Sequence, residues 1–301
     1  MSLIVLKNFL SPPADGFGVN FQNMSTVTIS AQDINKLRQA TGAGMMDCRK
    51  ALTETHGDFE AAIDWLRKQG QKVAAKRSDR EAKEGVVIAA TTADKKTGIV
   101  VCVSCETDFV SKNAEFVAFV QSIADAAIAN NVKSVEELNE VSVSSAKVSD
   151  LVNDKLAAIG EKIGITKLER IEAPYVASYI HGANRIGVLV GLSKEAAEVG
   201  KDLAMQIAAL NPVAVDAGSV PADTIAREKA IIIDIMREDP KMAGKPDEMI
   251  AKIAEGKIGA FFKEQTLTAQ AFVKDSTKSV ADYLKESGDV KVTEFKRVAL
   301  G

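Results

Sequence analysis

The sequence predicts an α+β protein: a cluster of three short helices, a core of two related β-β-α units, and an antiparallel helical hairpin inserted towards the C-terminus. Three observations predict it. Apolar residues recur at helical spacing between Ser30 and Gly70. Paired β-branched runs, each pair joined by a short polar turn and followed by an amphipathic helix, succeed one another in the middle of the chain. Two long amphipathic stretches then flank Asp239-Pro240 and Gly244-Lys245-Pro246.

Residues 1–23 are expected to be an extension outside the fold, disordered or not native. The run from Leu3 to Leu6 is too short for the apolar part of a signal peptide, only Lys7 supplies positive charge before Ser11-Pro12-Pro13, and Met24 is a candidate start. Ser30 with Asp33 marks a helix start, and Ile34 and Leu37 continue the period until Thr41-Gly42-Ala43-Gly44 breaks it. A second helix over 45–55 carries Met45, Cys48, Ala51 and Leu52 on one face. Gly57-Asp58 turns the chain into a third, with Phe59, Ala62, Ile63 and Leu66. This N-terminal module spans 24–73. The charged stretch 72–84 reads as an exposed helix or a linker, with 74–84 tethering the module.

Residues 85–90 and 98–104 are β-branched runs around the turn 93–97, hence a hairpin. The helix over 113–129 follows, with Phe116, Val117, Val120, Ile123, Ala124, Ala127 and Ile128 as the stripe that packs on it. These make a first core subdomain, 85–148. The second, 149–301, opens with a helical stretch. It then repeats the pattern: strands at 166–173 and 176–180, the turn His181-Gly182-Ala183-Asn184-Arg185, a strand at 186–192 and a helix at 196–210. Residues 99–103 and 186–190 occupy corresponding places. The helical hairpin is an insertion at about 222–264, in which Ile225, Ile232, Ile233 and Met236 face Met249, Ile250, Ile253 and Phe261. Any apolar remainder is available to a second chain. A short helix and a closing strand end the chain.

Composition narrows the class. With 301 residues, 46% of them hydrophobic, the chain can bury a substantial core. Its 38 basic and 41 acidic residues give a net charge of -3, which points away from nucleic acid and towards a protein partner. No apolar run reaches the roughly 18 to 20 residues of a membrane helix. Three cysteines are too few for a disulfide framework, which fits a reducing compartment, the cytoplasm.

The residue types that carry chemistry are sparse. Cys102-Val103-Ser104-Cys105 has redox spacing, but three residues apart on a strand the two thiols face opposite sides of the sheet. His56 and His181 lack ligand spacing, so neither a metal site nor a cofactor is expected. Thr41-Gly42-Ala43-Gly44 follows a helix rather than a strand, which argues against a phosphate cradle. What stands out is Thr107-Asp108-Phe109-Val110, between a strand and a helix. Phe109 could fold inward as a core anchor with Asp108 capping the next helix. Alternatively Phe109 protrudes as a wedge into a partner's groove while Asp108 takes partner hydrogen bonds.

The run from Leu37 to Leu52 (Leu-Arg-Gln-Ala-Thr-Gly-Ala-Gly-Met-Met-Asp-Cys-Arg-Lys-Ala-Leu) and the run from Glu106 to Lys112 (Glu-Thr-Asp-Phe-Val-Ser-Lys) closely resemble bacterial elongation factors Ts. Further similarity lies at residues 178–182, 185–190 and 267–273. The resemblance implies an N-terminal module like the ubiquitin-associated (UBA) domain, two related core subdomains, and a hairpin that can pair two copies as a homodimer. It implies a partner, elongation factor Tu, bound in its GDP or nucleotide-free form. It also implies a guanine nucleotide exchange function without a catalytic centre: Thr107, Asp108, Phe109 and Val110 disturb the partner's Mg²⁺ and phosphate region and promote GDP release. Met45, Met46, Arg49, Arg77 and His181 become further candidate contacts. Arg49 and Arg77 stand where many relatives have lysine. Many relatives also carry a C-terminal helical module that this sequence, ending at Gly301, does not show, so no contact from it is expected. The alternatives are a UBA-type adaptor without exchange activity and a thiol oxidoreductase using Cys102 and Cys105.

Overall fold

The computed structural model describes residues 28–77, 79–242 and 245–301, so the extension 1–23 and the candidate start at Met24 lie outside the described residues. Three helices come first: α1 (Ala31–Thr41), α2 (Met45–Glu54) and α3 (Phe59–Lys76). Ser30 and Asp33 form a reciprocal cap: the Ser30 hydroxyl accepts from the Asp33 amide, and the Asp33 carboxylate accepts from the Ser30 amide. Leu37, Ala43, Cys48, Ala51, Leu52, Ala62 and Leu66 make a small core. Met45, expected on that face, is instead 56% exposed. The core closes one turn below it, where the Cys48 thiol donates to the Ala43 carbonyl at 3.7 Å. Helix α3 does not stop at Gly70 but runs on to Lys76.

The core begins with β1 (Glu84–Thr91) and β2 (Thr97–Cys105), an antiparallel hairpin in which Val86 sits opposite Val103 and Ala90 opposite Ile99. The turn is tied by the Asp94 carboxylate, which accepts from the Thr92 hydroxyl at 2.6 Å and the Lys96 amide at 3.1 Å. Then come α4 (Asp108–Ser111), α5 (Ala114–Ala129), α6 (Val135–Glu140), the small hairpin β3 (Ser142–Val143) and β4 (Ala146–Lys147), α7 (Val148–Ile159) and β5 (Gly164–Glu172). The remaining elements are β6 (Tyr175–His181), β7 (Ile186–Leu192), α8 (Ala197–Leu210), α9 (Ala222–Glu238), α10 (Asp247–Gln265), β8 (Ala271–Phe272), β9 (Asp275–Ser279), α11 (Val280–Glu286) and β10 (Val292–Ala299).

Two three-stranded antiparallel sheets form, ordered β1-β2-β5 and β10-β7-β6. The strand expected at 166–173 thus pairs with β2, Leu168 opposite Val101, rather than with the strands that follow it. Pro174 explains the break. It has no N–H to continue a ladder, and the Ala173 amide beside it donates to the Lys96 carbonyl at 3.0 Å before the chain crosses to the other sheet.

Alternation along the strands sets the layers. Val86, Ile88, Ile99, Val101 and Val103 meet Phe116, Val120 and Ile123 of α5 and Val152 and Leu156 of α7. Val87, Val100 and Cys102 point the other way, onto Val176, Leu189 and Val298 of the second sheet. That sheet's outer face, Val188, Val190 and Leu192, packs on Leu203 and Ile207 of α8 and on Phe272, Val280 and Leu284. The order is helix, sheet, sheet, helix. Close approach of the sheets depends on two glycines: a Cβ on Gly98 would lie 2.6 Å from Val176, and one on Gly187 would lie 2.7 Å from both Val87 and Val100.

On α7, the same kind of fit seats α3. Gly70 is buried, and a Cβ there would fall 2.5 Å from the Ala157 methyl. Helices α9 and α10 lie antiparallel, as the ion pairs Lys229–Glu255 (2.9 Å) and Arg237–Asp247 (3.2 Å) fix. Met236, Ile250 and Ala254 are buried between them with Ile232, Ile233 and Ile253 alongside, whereas Met249, expected on the inner face, is exposed together with Ile231 and Ile235. Ile250 takes the buried place one residue on, which turns Met249 outward on a helix of 100° per residue.

Candidate functional site

Strand β2 ends in the first core at Cys105, and the chain then leaves the sheet. Thr107 is extended (φ -121°, ψ 155°), and Asp108–Ser111 form the single turn α4. Val110 is half-buried against the first core, so the turn has an inner side. Phe109, one residue earlier, is 85% exposed. The inward core-anchor possibility is therefore excluded for this side chain. Asp108 does not cap the following helix either. Asn113 does, accepting from the Glu115 and Phe116 amides. The Asp108 carboxylate pairs with Lys112 at 2.7 Å, and that bond is the first cause holding its pKa below the ordinary value.

Two carboxylates sit beneath the turn. Glu161 accepts from the Glu106 amide (3.2 Å), the Thr107 amide (3.0 Å) and the Thr107 hydroxyl (2.7 Å). It stands directly after Gly160, whose φ of +76° ends α7 in a left-handed turn that a side chain would resist. Glu106 accepts from the Lys162 amide at 2.6 Å and pairs with Arg77 at 2.8 Å and Arg80 at 3.0 Å. The Lys162 amide above all, and then the two guanidiniums, hold the Glu106 carboxyl down at about 2.

The other residues singled out from the sequence are spread over the surface. Met45 and Met46 are 56% and 73% exposed on the first turn of α2, and Arg49 is exposed one turn further along. Arg77 is not a free cation, because it is spent on Glu106. His181, exposed at the end of β6, takes a 3.0 Å hydrogen bond between its Nδ1 and the Tyr179 hydroxyl. Its turn shares an end of the molecule with the root of α4: Arg185 pairs with Glu84 at 2.7 Å, and Glu84 lies opposite Cys105 in the sheet. Sequence reasoning missed Glu161 and Arg80. Glu161 is distant in sequence from Thr107 and obeys no local motif, so only the folded pairing of β2 with β5 reveals it.

Cys102 points between the sheets and Cys105 into the helical side, both buried and free. Burial pushes the Cys105 thiol up to about 12, further from reactive thiolate chemistry. Among the described residues no three His, Cys, Asp or Glu side chains gather to hold a metal ion, and no helix is long and apolar enough to cross a membrane. A cleft of about 760 Å³ runs between the N-terminal helices and α5 and α7, bordered by Trp65, Val73, Phe119 and Leu151. The Arg67–Asp154 pair, at 3.5 Å, ties α3 to α7 there.

The family model described as Elongation factor TS matches residues 106–301. Similar proteins named Elongation factor Ts include that of Christiangramia forsetii, 48% identical over 277 residues that make up 91% of this chain and 99% of the relative. That of Flavobacterium psychrophilum is 47% identical over 278 residues, and that of Cytophaga hutchinsonii 43% over 279, each again covering 91% of this chain and 99% of the relative. Matches over so much of both chains, together with a family model whose match opens on the Glu106–Lys112 segment, show that the chain belongs to the elongation factor Ts family.

Proposed function

We propose that this chain is a guanine nucleotide exchange factor for elongation factor Tu, acting in the cytoplasm in translation elongation without a catalytic centre of its own. It binds the GDP form, and the Thr107-Asp108-Phe109-Val110 turn enters the partner and disturbs the region that holds Mg²⁺ and phosphate. The observation that carries this is Phe109: a large apolar side chain, 85% exposed, on a turn whose root is held by a carboxylate. An exposed aromatic on a fixed support has the form of an interface hot spot.

Exchange is a coupling between two ligands of one protein: the factor weakens nucleotide as much as nucleotide weakens the factor. Loosening a nanomolar ligand to micromolar takes about 4 kcal/mol of differential binding. Burying one phenylalanine supplies about 1.5 to 3 kcal/mol, so other contacts must share the work. The exposed Met45, Met46 and Arg49 of the UBA-like N-terminal module and the exposed His181 of the second core subdomain are the proposed sharers. Arg77 contributes through Glu106. The two sheet units act as related subdomains carrying these contacts. The inserted α9–α10 hairpin, with Ile231, Ile235 and Met249 exposed, is the proposed contact between two copies.

Stopped-flow release of labelled GDP from elongation factor Tu in Mg²⁺ tests the proposal. The factor should accelerate release in a saturable manner. Binding to the GTPase with no change in release rate would overturn it and leave an adaptor.

A further inference from the structure

Taking the exchange function above as its basis, we propose that Glu161 and Glu106 are positioning residues for the Thr107–Val110 turn, and that Glu106 links the placement of that turn to helix α3. One turn of helix does not hold its own shape, because fixing a single turn costs more conformational freedom than its bonds return. Helix α4 has four residues, and its N-cap Thr107 makes no capping bond of its own. What orients the turn must come from outside it.

Glu161 supplies this. Both amides at the root and the Thr107 hydroxyl converge on the one carboxylate. The arrangement is reciprocal: the amide that follows Glu161, that of Lys162, donates to the carboxylate of Glu106. Two segments more than fifty residues apart are thus clasped acid to amide in both directions, with charge-assisted bonds of 2.6 to 3.2 Å. Beneath the clasp, the Cys105 thiol donates to the Thr107 carbonyl at 3.2 Å, and Gly164 pairs with Ser104 in the first sheet. Neither segment can slide without breaking the ladder.

The clasp also reaches the N-terminal helices. Arg77, directly after α3, and Arg80 also grip the Glu106 carboxylate, and the Lys162 ammonium donates to the Arg80 carbonyl at 2.9 Å. The reach of Phe109 and the seat of α3 are therefore set by one network. A wedge transmits force to a partner only if its root does not yield. Loss of the clasp should lower the rate at which a bound partner loses GDP more than it lowers binding, which rests on a wider surface.

The test uses the full chain with Glu161→Ala and Glu161→Gln. Hydrogen exchange at the Thr107 amide in the free protein reads the clasp directly, and GDP release from elongation factor Tu at saturating and half-saturating factor reads its role. Glu161→Ala should speed Thr107 amide exchange and cut the saturating release rate on the order of 10- to 100-fold, as expected for a misplaced group. Its half-saturation should change by less than that. Glu161→Gln keeps an acceptor oxygen and should restore most of the rate. A saturating rate equal to wild type with the Thr107 amide opened would overturn the positioning role, as would an amide that stays protected. If Glu161→Ala does not fold, Glu161→Asp, too short by one methylene to span all three donors, should show the same loss; an unchanged rate there overturns the proposal. Wild-type protein that leaves GDP release unaltered would count against the exchange function itself, while the amide measurement would still judge the clasp.

Discussion

Truncating Phe109 to alanine tests the proposed wedge apart from folding. In the free protein the ring is 85% exposed and belongs to none of the buried clusters, so its loss should move stability by no more than about 0.5 kcal/mol. Within a complex the same ring would be buried. The full transfer of a phenylalanine from water is worth about 1.5 to 3 kcal/mol, a factor of roughly 10 to 150 in the step that depends on it. Phe109→Ala should therefore melt with the wild type yet slow saturating GDP release from elongation factor Tu by that factor. Stopped-flow fluorescence of labelled GDP, at several factor concentrations, measures it. An unchanged release rate would show that the ring does not enter the partner. A lowered melting temperature of several degrees would show that it is packed in the fold, contrary to its exposure.

Three further outcomes follow from the core and the clasp. Gly187→Ala places a methyl 2.7 Å from Val87 and Val100 and should cost about 1 to 3 kcal/mol in denaturant unfolding; a combined Gly187→Ala and Val100→Ala protein should recover part of it, since the pair touches. Glu106 ionises at about 2 in the folded protein against an ordinary 4.5, so the stability it lends is present above 4.5 and is lost as pH falls through about 2. The advantage of wild type over Glu106→Gln should be full near pH 6 and shrink between pH 4.5 and 2; an advantage that grows with acid would contradict the assigned cause. Cys102→Ser should leave exchange intact, because that thiol lies buried between the sheets and away from the wedge; total loss of exchange in a folded protein would revive thiol chemistry.

Local pattern made much of the fold legible. The Ser30–Asp33 cap, the turn at Asp94 and the stripe of α5 each follow from residues within a few positions of one another, and each stands where the period placed it. Pairing across long separations was not legible in the same way. β5 reads as a strand like its neighbours in sequence, and nothing local says that Leu168 belongs opposite Val101. Burial near helix starts was misjudged twice: Met45 lies one turn beyond the closed core at Cys48, and Met249 is turned outward because Ile250, one residue on, takes the buried place. The site shows both sides. Phe109 drew notice as an aromatic beside an acid between a strand and a helix, while Glu161, which holds its support, carried no signal at all until the chain was folded.

The seat of α3 on α7 has a kinetic meaning. With Gly70 against Ala157 and Arg67 paired to Asp154, the first helices are docked before any partner arrives. If the proposed contacts at Met46 and Phe109 both engage, the spacing between them is a fixed gauge that a partner surface must match in a single encounter. A loosely strung module would find its contact by random search after the first touch. Here orientation is settled in advance, and under the proposed function selection among GTPases would become a question of which one has the right span.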